Sequence, residues 1–278
     1  MKKIGWIGYE KMGKPMVNNL LNAGYGLTVY TRNKVIANDL PRLDFTDSLA
    51  EIVDNSDYIF FMLPNDETCE EVARELIGLP IANKLLINMS TISPDTSIKL
   101  QNLFKPHHAR YIEAPVSGSI QPAKDGTLVV LTGGGHEAVK EMDDCFNVLG
   151  KKTIHIGDVG TAAKTKIGIN YFMSILVYGL ADTILFMEET GVKRNKMLEV
   201  INSGACSSGM TETKTPFIIA QDYPPAFPLK YMSKDLKLAN QIGLKSSLGD
   251  IIHNDFRQAK DEFGEDDLMA IIKFLNKR

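Results

Sequence analysis

The chain begins with a short apolar run, Lys3–Ile7, followed by Gly8-Tyr9-Glu10-Lys11-Met12-Gly13 and an amphipathic segment, Met12–Ala23, that stops at Gly24. A strand, a turn with glycine at each end and a helix, in that order, constrain the fold more than any other stretch. The first glycine allows the tight turn, and the last lets the helix approach the strand. The helix N-terminus between them offers N–H groups and a positive dipole end to an anion. This is the context of the dinucleotide fingerprint G-x-G-x-x-G. Glu10 stands where the fingerprint has its middle glycine. At an effective dielectric of about 20, a carboxylate about 5 Å from one phosphate charge costs about 3 kcal/mol. That is about a hundredfold in affinity. An outward side chain is screened by water and salt, and Lys11 or Lys14 can offset it. Glu10 therefore implies weaker binding or a rearranged loop. Gly8, Glu10, Lys11, Met12 and Gly13 form the candidate cofactor loop.

Beyond that loop, β-rich runs alternate with amphipathic ones. Strands are expected at Leu27–Tyr30, Tyr58–Met62, Leu85–Asn88, Arg110–Ala114, Leu128–Thr132 and Thr153–Ile156. Helices are expected at Ser48–Val53, Glu67–Leu76, Ser93–Phe104 and Glu137–Leu149. Such alternation implies a mostly parallel, doubly wound α/β sheet of Rossmann type. After Gly160 no strand pattern remains. Helices are expected at Ala162–Thr190, Asn195–Ser203, Met232–Ile242, Ile251–Phe263 and Asp266–Asn276, with Pro224, Pro225 and Pro228 marking a loop. The expected division is a nucleotide-binding domain at 1–160 and an all-α domain at 161–278.

Composition narrows the function. With 31 basic and 34 acidic residues the formal charge is −3, so no nucleic-acid or anionic-membrane partner is expected. The three cysteines are scattered, as are the five histidines, and no spacing suits a metal. Reduced thiols fit a cytoplasmic protein. The stretch Ile167–Met187 is apolar enough to suggest a membrane span. It carries Asn170, Ser174, Asp182 and Thr183, which fit a core helix better.

Two features suggest chemistry. The second strand ends Tyr30-Thr31-Arg32, where dinucleotide sites put an acid for the ribose 2′-OH or an arginine for a 2′-phosphate. Thr31 in the acid position, followed by Arg32, favours NADP over NAD. On the long helix, Lys166 and Asn170 are four residues apart and so share one face. A cation beside an amide suits a hydroxyl or carboxylate substrate, with the lysine exchanging the hydroxyl proton. Lys164 is a rival, but its own i+4 neighbour is Gly168.

Taken in order along nearly the whole chain, these motifs resemble the β-hydroxyacid dehydrogenase family, which includes 3-hydroxyisobutyrate dehydrogenases and glyoxylate or succinic semialdehyde reductases. Besides the first loop, Met62-Leu63-Pro64 resembles the family's "MLP", and Asn88–Pro94 its "D-x-S-T-I-x-P". Glu113–Ser119, with Asp125–Leu128 downstream, resembles "D-A-P-V-S-G-G…G-T-L". Gly157…Lys166…Asn170 resembles "G-x-x-G…K-x-x-x-N", and Lys234–Ala239 resembles "K-D-L-x-L-A".

The resemblance implies that Leu63, Pro64 and Thr91 border the cofactor. It implies that Ser117 and Gly118 hold the substrate carboxylate, and that Lys166 is the general acid or base. Asn170 orients substrate, Lys234 completes the site from the helical half, and no metal is needed. A lysine with an ordinary pKa near ~10.4 is an acid at neutral pH; acting as a base needs desolvation or a neighbouring cation.

Departures from the pattern are Glu10, Ser119 for a glycine, Pro122 for a small residue, and Ile169 for an asparagine. The implied activity is hydride transfer between NADP or NAD and a small hydroxy acid or its aldehyde or keto-acid partner; the long apolar helix, with surface to bury in a partner chain, adds the expectation of a homodimer or higher homo-oligomer. Two alternatives use the same residues: a non-catalytic nucleotide-sensing or dimerisation module with a cofactor loop impaired by Glu10, and a reductase of imines or non-acid carbonyls.

Overall fold

The computed structural model describes residues 2–31 and 43–278. The first strand, β1 (Lys3–Ile7), turns into α1 (Gly13–Asn22) and returns as β2 (Gly26–Tyr30). A short β3 (Asp44–Thr46) leads to α2 (Leu49–Asn55), then β4 (Tyr58–Phe61), α3 (Asp66–Leu76), β5 (Leu85–Asn88), α4 (Pro94–Phe104) and β6 (Arg110–Glu113). These strands lie in the order β3-β2-β1-β4-β5-β6, all parallel. The alternation expected from the sequence is therefore the observed architecture.

The sheet continues as β7 (Val116–Ser117) and β8 (Leu128–Gly133), with α5 (Ile120–Lys124) between them. Both β6 and β7 pair antiparallel with β8, whereas β9 (Gly150–Gly157) pairs parallel with it. Two helices, α6 (His136–Lys140) and α7 (Asp143–Leu149), replace the single helix expected over 137–149. The break lies at Glu141-Met142. Glu141 is held by the Tyr58 hydroxyl at 2.8 Å and the Arg110 guanidinium at 2.5 Å. Asp143 and Asp144 then open a new first turn, where acids suit the helix dipole.

Period-2 alternation builds the core on both faces of the sheet. Trp6, Phe60 and Ile87 pack on one face, and Ile7, Phe61 and Leu86 on the other. The carboxyl ends of the parallel strands are in register: Tyr30 opposite Ile7, Ile7 opposite Phe61, Phe61 opposite Asn88, and Asn88 opposite Glu113. The strand order reverses at β1, so a crevice opens past that edge, the usual place for a ligand in such sheets.

The remainder is helical: α8 (Thr161–Glu189), α9 (Arg194–Ser203), α10 (Gly209–Ala220), α11 (Leu229–Gln241), α12 (Ser247–Phe263) and α13 (Ile271–Leu275). By its contacts the chain divides into two units, Met1–Lys166 and Ile167–Arg278. That division lies one to two turns inside α8 rather than at its start. Helix α10 is absent from the sequence-based reading, because Gly209 and Pro216 are poor helix residues. Ser208 and Thr211 form a reciprocal capping box at its start, which compensates.

Helix α8 is less buried than a core helix would be. Phe172 and Phe186 are 59% and 60% exposed. It is also the one described helix long and apolar enough to cross a membrane.

Candidate functional site

The first loop is built around close backbone approach. Gly8 has φ +108°, and a Cβ on it would lie 2.2 Å from the Met62 carbonyl oxygen. A Cβ on Gly13 would lie 1.9 Å from the Gly8 carbonyl oxygen. Both positions therefore require glycine. The buried Trp6 indole donates to the Gly8 carbonyl at 3.1 Å and braces the turn. Helix α1 then starts with no side-chain cap and no acid in its first turn, which suits an arriving anion. This cradle fits a dinucleotide pyrophosphate.

The carboxylate that breaks the fingerprint is exposed to solvent and, with Lys11 and Lys14, lines an open cavity beside the loop. Glu10 and Lys11 are exposed, and Met12 is half-buried. Solvent and the two lysines on the same cavity lower the Coulomb cost of Glu10 below the ~3 kcal/mol reckoned for close approach.

Neighbouring loops assemble along the same strand ends. Thr31 follows β2 and donates its N–H to Thr46 at 2.9 Å. Leu63 donates its N–H to the Ser90 hydroxyl at 2.8 Å, which ties the Leu63-Pro64 turn to the loop carrying Thr91. Ser90 takes its place because its own N–H meets the Asn88 side-chain oxygen at 2.9 Å. Gly8, Leu63, Pro64 and Thr91 are thus on adjoining loops, as the motifs suggest. Arg32 lies outside the described residues.

Ser117 ends β7 and is half-buried, and Gly118 is exposed beside it. A side chain at Gly118 would meet Leu128 and Pro122. The proline that departs from the family pattern therefore packs under the loop.

On α8, Lys166 and Asn170 occupy one buried face, 8% and 3% exposed, while the rival Lys164 is exposed. The Asn170 amide donates to Asp235 Oδ2 at 2.5 Å, and Lys234 Nζ lies 3.2 Å from Asp235 Oδ1. Asp235, 3% exposed, joins two residues singled out from the sequence. Its signal was available: an acid between two buried positions, Ser233 and Leu236, on an amphipathic helix.

Glu113 is the second residue that lies inside a quoted motif and was given no role there. It ends β6 and is 2% exposed. Its Oε1 accepts N–H groups of Gly160 at 2.8 Å, Ala162 at 2.7 Å and Ala163 at 3.3 Å. Its Oε2 accepts the Ser97 hydroxyl at 2.5 Å. Burial pushes this carboxyl above the ordinary carboxylate range, and those four hydrogen bonds hold the rise in check. Among the described residues no group of three or more His, Cys, Asp or Glu side chains could hold a metal.

The NAD binding domain of 6-phosphogluconate dehydrogenase matches residues 3–157 as a family, and the NAD-binding domain of NADP-dependent 3-hydroxyisobutyrate dehydrogenase matches residues 160–275. The chain is similar to the chloroplastic glyoxylate/succinic semialdehyde reductase 2 of Arabidopsis thaliana, at 32% identity over 98% of this chain and 79% of that one. It is also similar to the cytokine-like nuclear factor N-PAC of Mus musculus, at 31% identity over 87% of this chain but only 44% of that protein. Among solved structures, 3-hydroxyisobutyrate dehydrogenase of Mycobacterium tuberculosis superposes with a TM-score of 0.89 at 23% identity, covering 99% of both chains.

Proposed function

The chain belongs to the β-hydroxyacid dehydrogenase family of NAD(P)-dependent oxidoreductases, and from that premise we propose that it reduces a small aldehyde or keto acid to the hydroxy acid, with NADPH favoured. The observation that carries this reading is that Lys166 and Asn170 lie one turn apart on α8, both buried, with the Asn170 amide held by the buried Asp235. Buried charge and amide are costly, and a scaffold has no need of them.

When bound, the nicotinamide cofactor supplies the hydride. Gly8, Met12 and Gly13 hold its pyrophosphate, and Leu63, Pro64 and Thr91 line the neighbouring loops. The Ser117 hydroxyl and Gly118 N–H bind the substrate carboxylate. Lys166 Nζ gives its proton to the substrate's carbonyl oxygen as that oxygen becomes a hydroxyl, and takes it back in oxidation. Asn170, fixed by Asp235, orients the oxygen. The family resemblance gives Lys234, paired with Asp235, a part in binding the acid. Glyoxylate and succinic semialdehyde head the substrate panel, because the similar reductase carries those names.

The N-PAC likeness favours a second reading, a nucleotide-binding module without turnover. Titrations with NADPH and NADH, followed through the single tryptophan, Trp6, bear on both readings. Tighter binding of NADPH supports the role proposed for Arg32, and equal binding removes it. Glu10→Gly should tighten NADPH less than about fivefold, given that the carboxylate is exposed and shares its cavity with Lys11 and Lys14. A gain of about a hundredfold would mean that the carboxylate faces the phosphates.

We also assign the outward apolar face of α8, with Phe172 and Phe186, to a second copy of the chain. Phe172 and Phe186 are two heptads apart and so share one side of the helix, and two exposed aromatic side chains so placed fit a partner helix. Light scattering should give twice the 30.8 kDa chain mass. Glu at both phenylalanines should give the single mass, and a wild-type monomer would contradict the assignment.

A further inference from the structure

Helix α8 is capped from far away in the chain. Its first turn contains no acid, and the N–H groups of Gly160, Ala162 and Ala163 all point to Oε1 of Glu113. A local Ser, Thr or Asp normally performs this task cheaply. Thr161 and Asp158 are adjacent, yet the Thr161 hydroxyl is turned to the Asp158 carbonyl at 2.6 Å. Capping with a 2% exposed carboxylate from a sheet strand instead requires burying a charge, which costs far more. The fold makes specific room for it. A Cβ at Gly133, directly opposite Glu113 in the sheet, would stand 2.4 Å from Oε1.

What the distant cap achieves, and a local one cannot, is to fix the helix against the sheet. Glu113 has its backbone in register with β5 and β8. Four residues on, the same segment reaches Ser117. Through Oε2 it also holds Ser97 on α4, the helix that follows the Thr91 loop. One turn beyond Ala162 and Ala163, on the same buried face of α8, stands Lys166. All of these residues belong to the first unit of the chain.

We propose that Glu113 is a positioning residue: its carboxylate sets the axial position and rotation of the α8 N-terminus, and so aims Lys166 at a substrate held by Ser117 and Gly118. This inference rests on Lys166 being the proton donor. A displacement of about 1 Å at a reacting group can cost about a hundredfold in rate. Glu113→Ala should therefore lower kcat about a hundredfold, with the NADPH dissociation constant unchanged. Glu113→Gln has the same shape and one oxygen for the same three N–H groups, and it should recover kcat to within about tenfold of the parent.

The decisive arm is a double-mutant cycle, read as single-turnover NADPH oxidation with glyoxylate or succinic semialdehyde. Glu113→Ala should cause no further loss once Lys166 is alanine, because the two act as one unit. An undiminished effect in that background, unchanged kcat in Glu113→Ala, or a glutamine variant as poor as the alanine would each overturn the proposal. If Glu113→Ala does not fold, Gly133→Ala displaces the carboxylate while keeping it. The same loss of kcat is then expected, and normal kcat would refute the role. Full activity in Lys166→Ala alone would instead strike the underlying reading of function, so the two failures are separable.

Discussion

Replacing Lys166 with alanine is expected to lower kcat by about two to four orders of magnitude, the usual contribution of a positioned proton donor. The dissociation constant of NADPH should stay within about threefold. The argument is one of placement. Lys166 is 8% exposed on the same buried helix face as Asn170, whose amide is fixed by Asp235. A buried lysine side chain keeps few of the rotamers it has in solvent, and a restricted donor is what proton transfer needs. Arginine at this position should fail almost as badly. It keeps the charge but does not release a proton in the working pH range. An alanine variant with full turnover would remove Lys166 from the chemistry. Loss of NADPH binding alongside turnover would show a structural lesion instead.

The second large effect concerns stability. Asp267 is completely buried and accepts Lys214 Nζ at 2.7 Å. It also accepts the N–H groups of Met269 at 3.0 Å, Phe227 at 3.0 Å and Ala226 at 3.2 Å. One carboxylate thus ties α10, the proline loop before α11 and the turn Leu268–Ala270. Asp267→Ala leaves a buried ammonium and three N–H groups uncompensated, which should cost about 3–5 kcal/mol. With a urea slope of about 2 kcal/mol/M, the midpoint should fall by about 1.5 M or more. Trp6 is in the first unit, so far-UV ellipticity is the better monitor of the helical one. A midpoint shift under about 0.3 M would mean that water replaces the lost contacts.

Much of this was legible before the coordinates. Alternation of apolar runs located β1, β2, β4, β5 and β6, because period-2 burial on two faces leaves a plain sequence signal. The Gly8…Gly13 spacing identified its own turn, since two positions there admit no side chain. The Lys166–Asn170 pair was suggested by i, i+4 spacing and singled out only with the family resemblance, since many helices carry a lysine and an asparagine so spaced.

What stayed hidden has physical causes. The three-residue β3 is too short for any period to register. Helix α10 was masked by Pro216, whose penalty is offset by a capping box that propensity does not count. The C-terminal helix begins late, because Asp267 spends its side chain on the Lys214 pair and the Met269 N–H. The expected burial of α8 on most sides was too generous. An apolar helix in one chain reads the same whether its partner is the core or another copy.

Glu113 shows the limit most clearly. As a letter in "YIEAPVSG" it is one acid ending a strand. Its partners are 16 to 50 residues away and mostly backbone, and sequence patterns carry no record of such contacts. The fate of Glu10 was open for a similar reason, since side-chain direction in a loop follows from backbone geometry rather than residue type.

The measurement that bears most directly on the function is the initial rate of NADPH oxidation by the purified protein, with glyoxylate and succinic semialdehyde as separate substrates. Saturable loss of absorbance at a rate proportional to enzyme, abolished in Lys166→Ala, is the expected result. NADPH binding without oxidation in the presence of either acid, or of other small aldehyde acids, would contradict the proposed reductase and leave a nucleotide-binding module in its place.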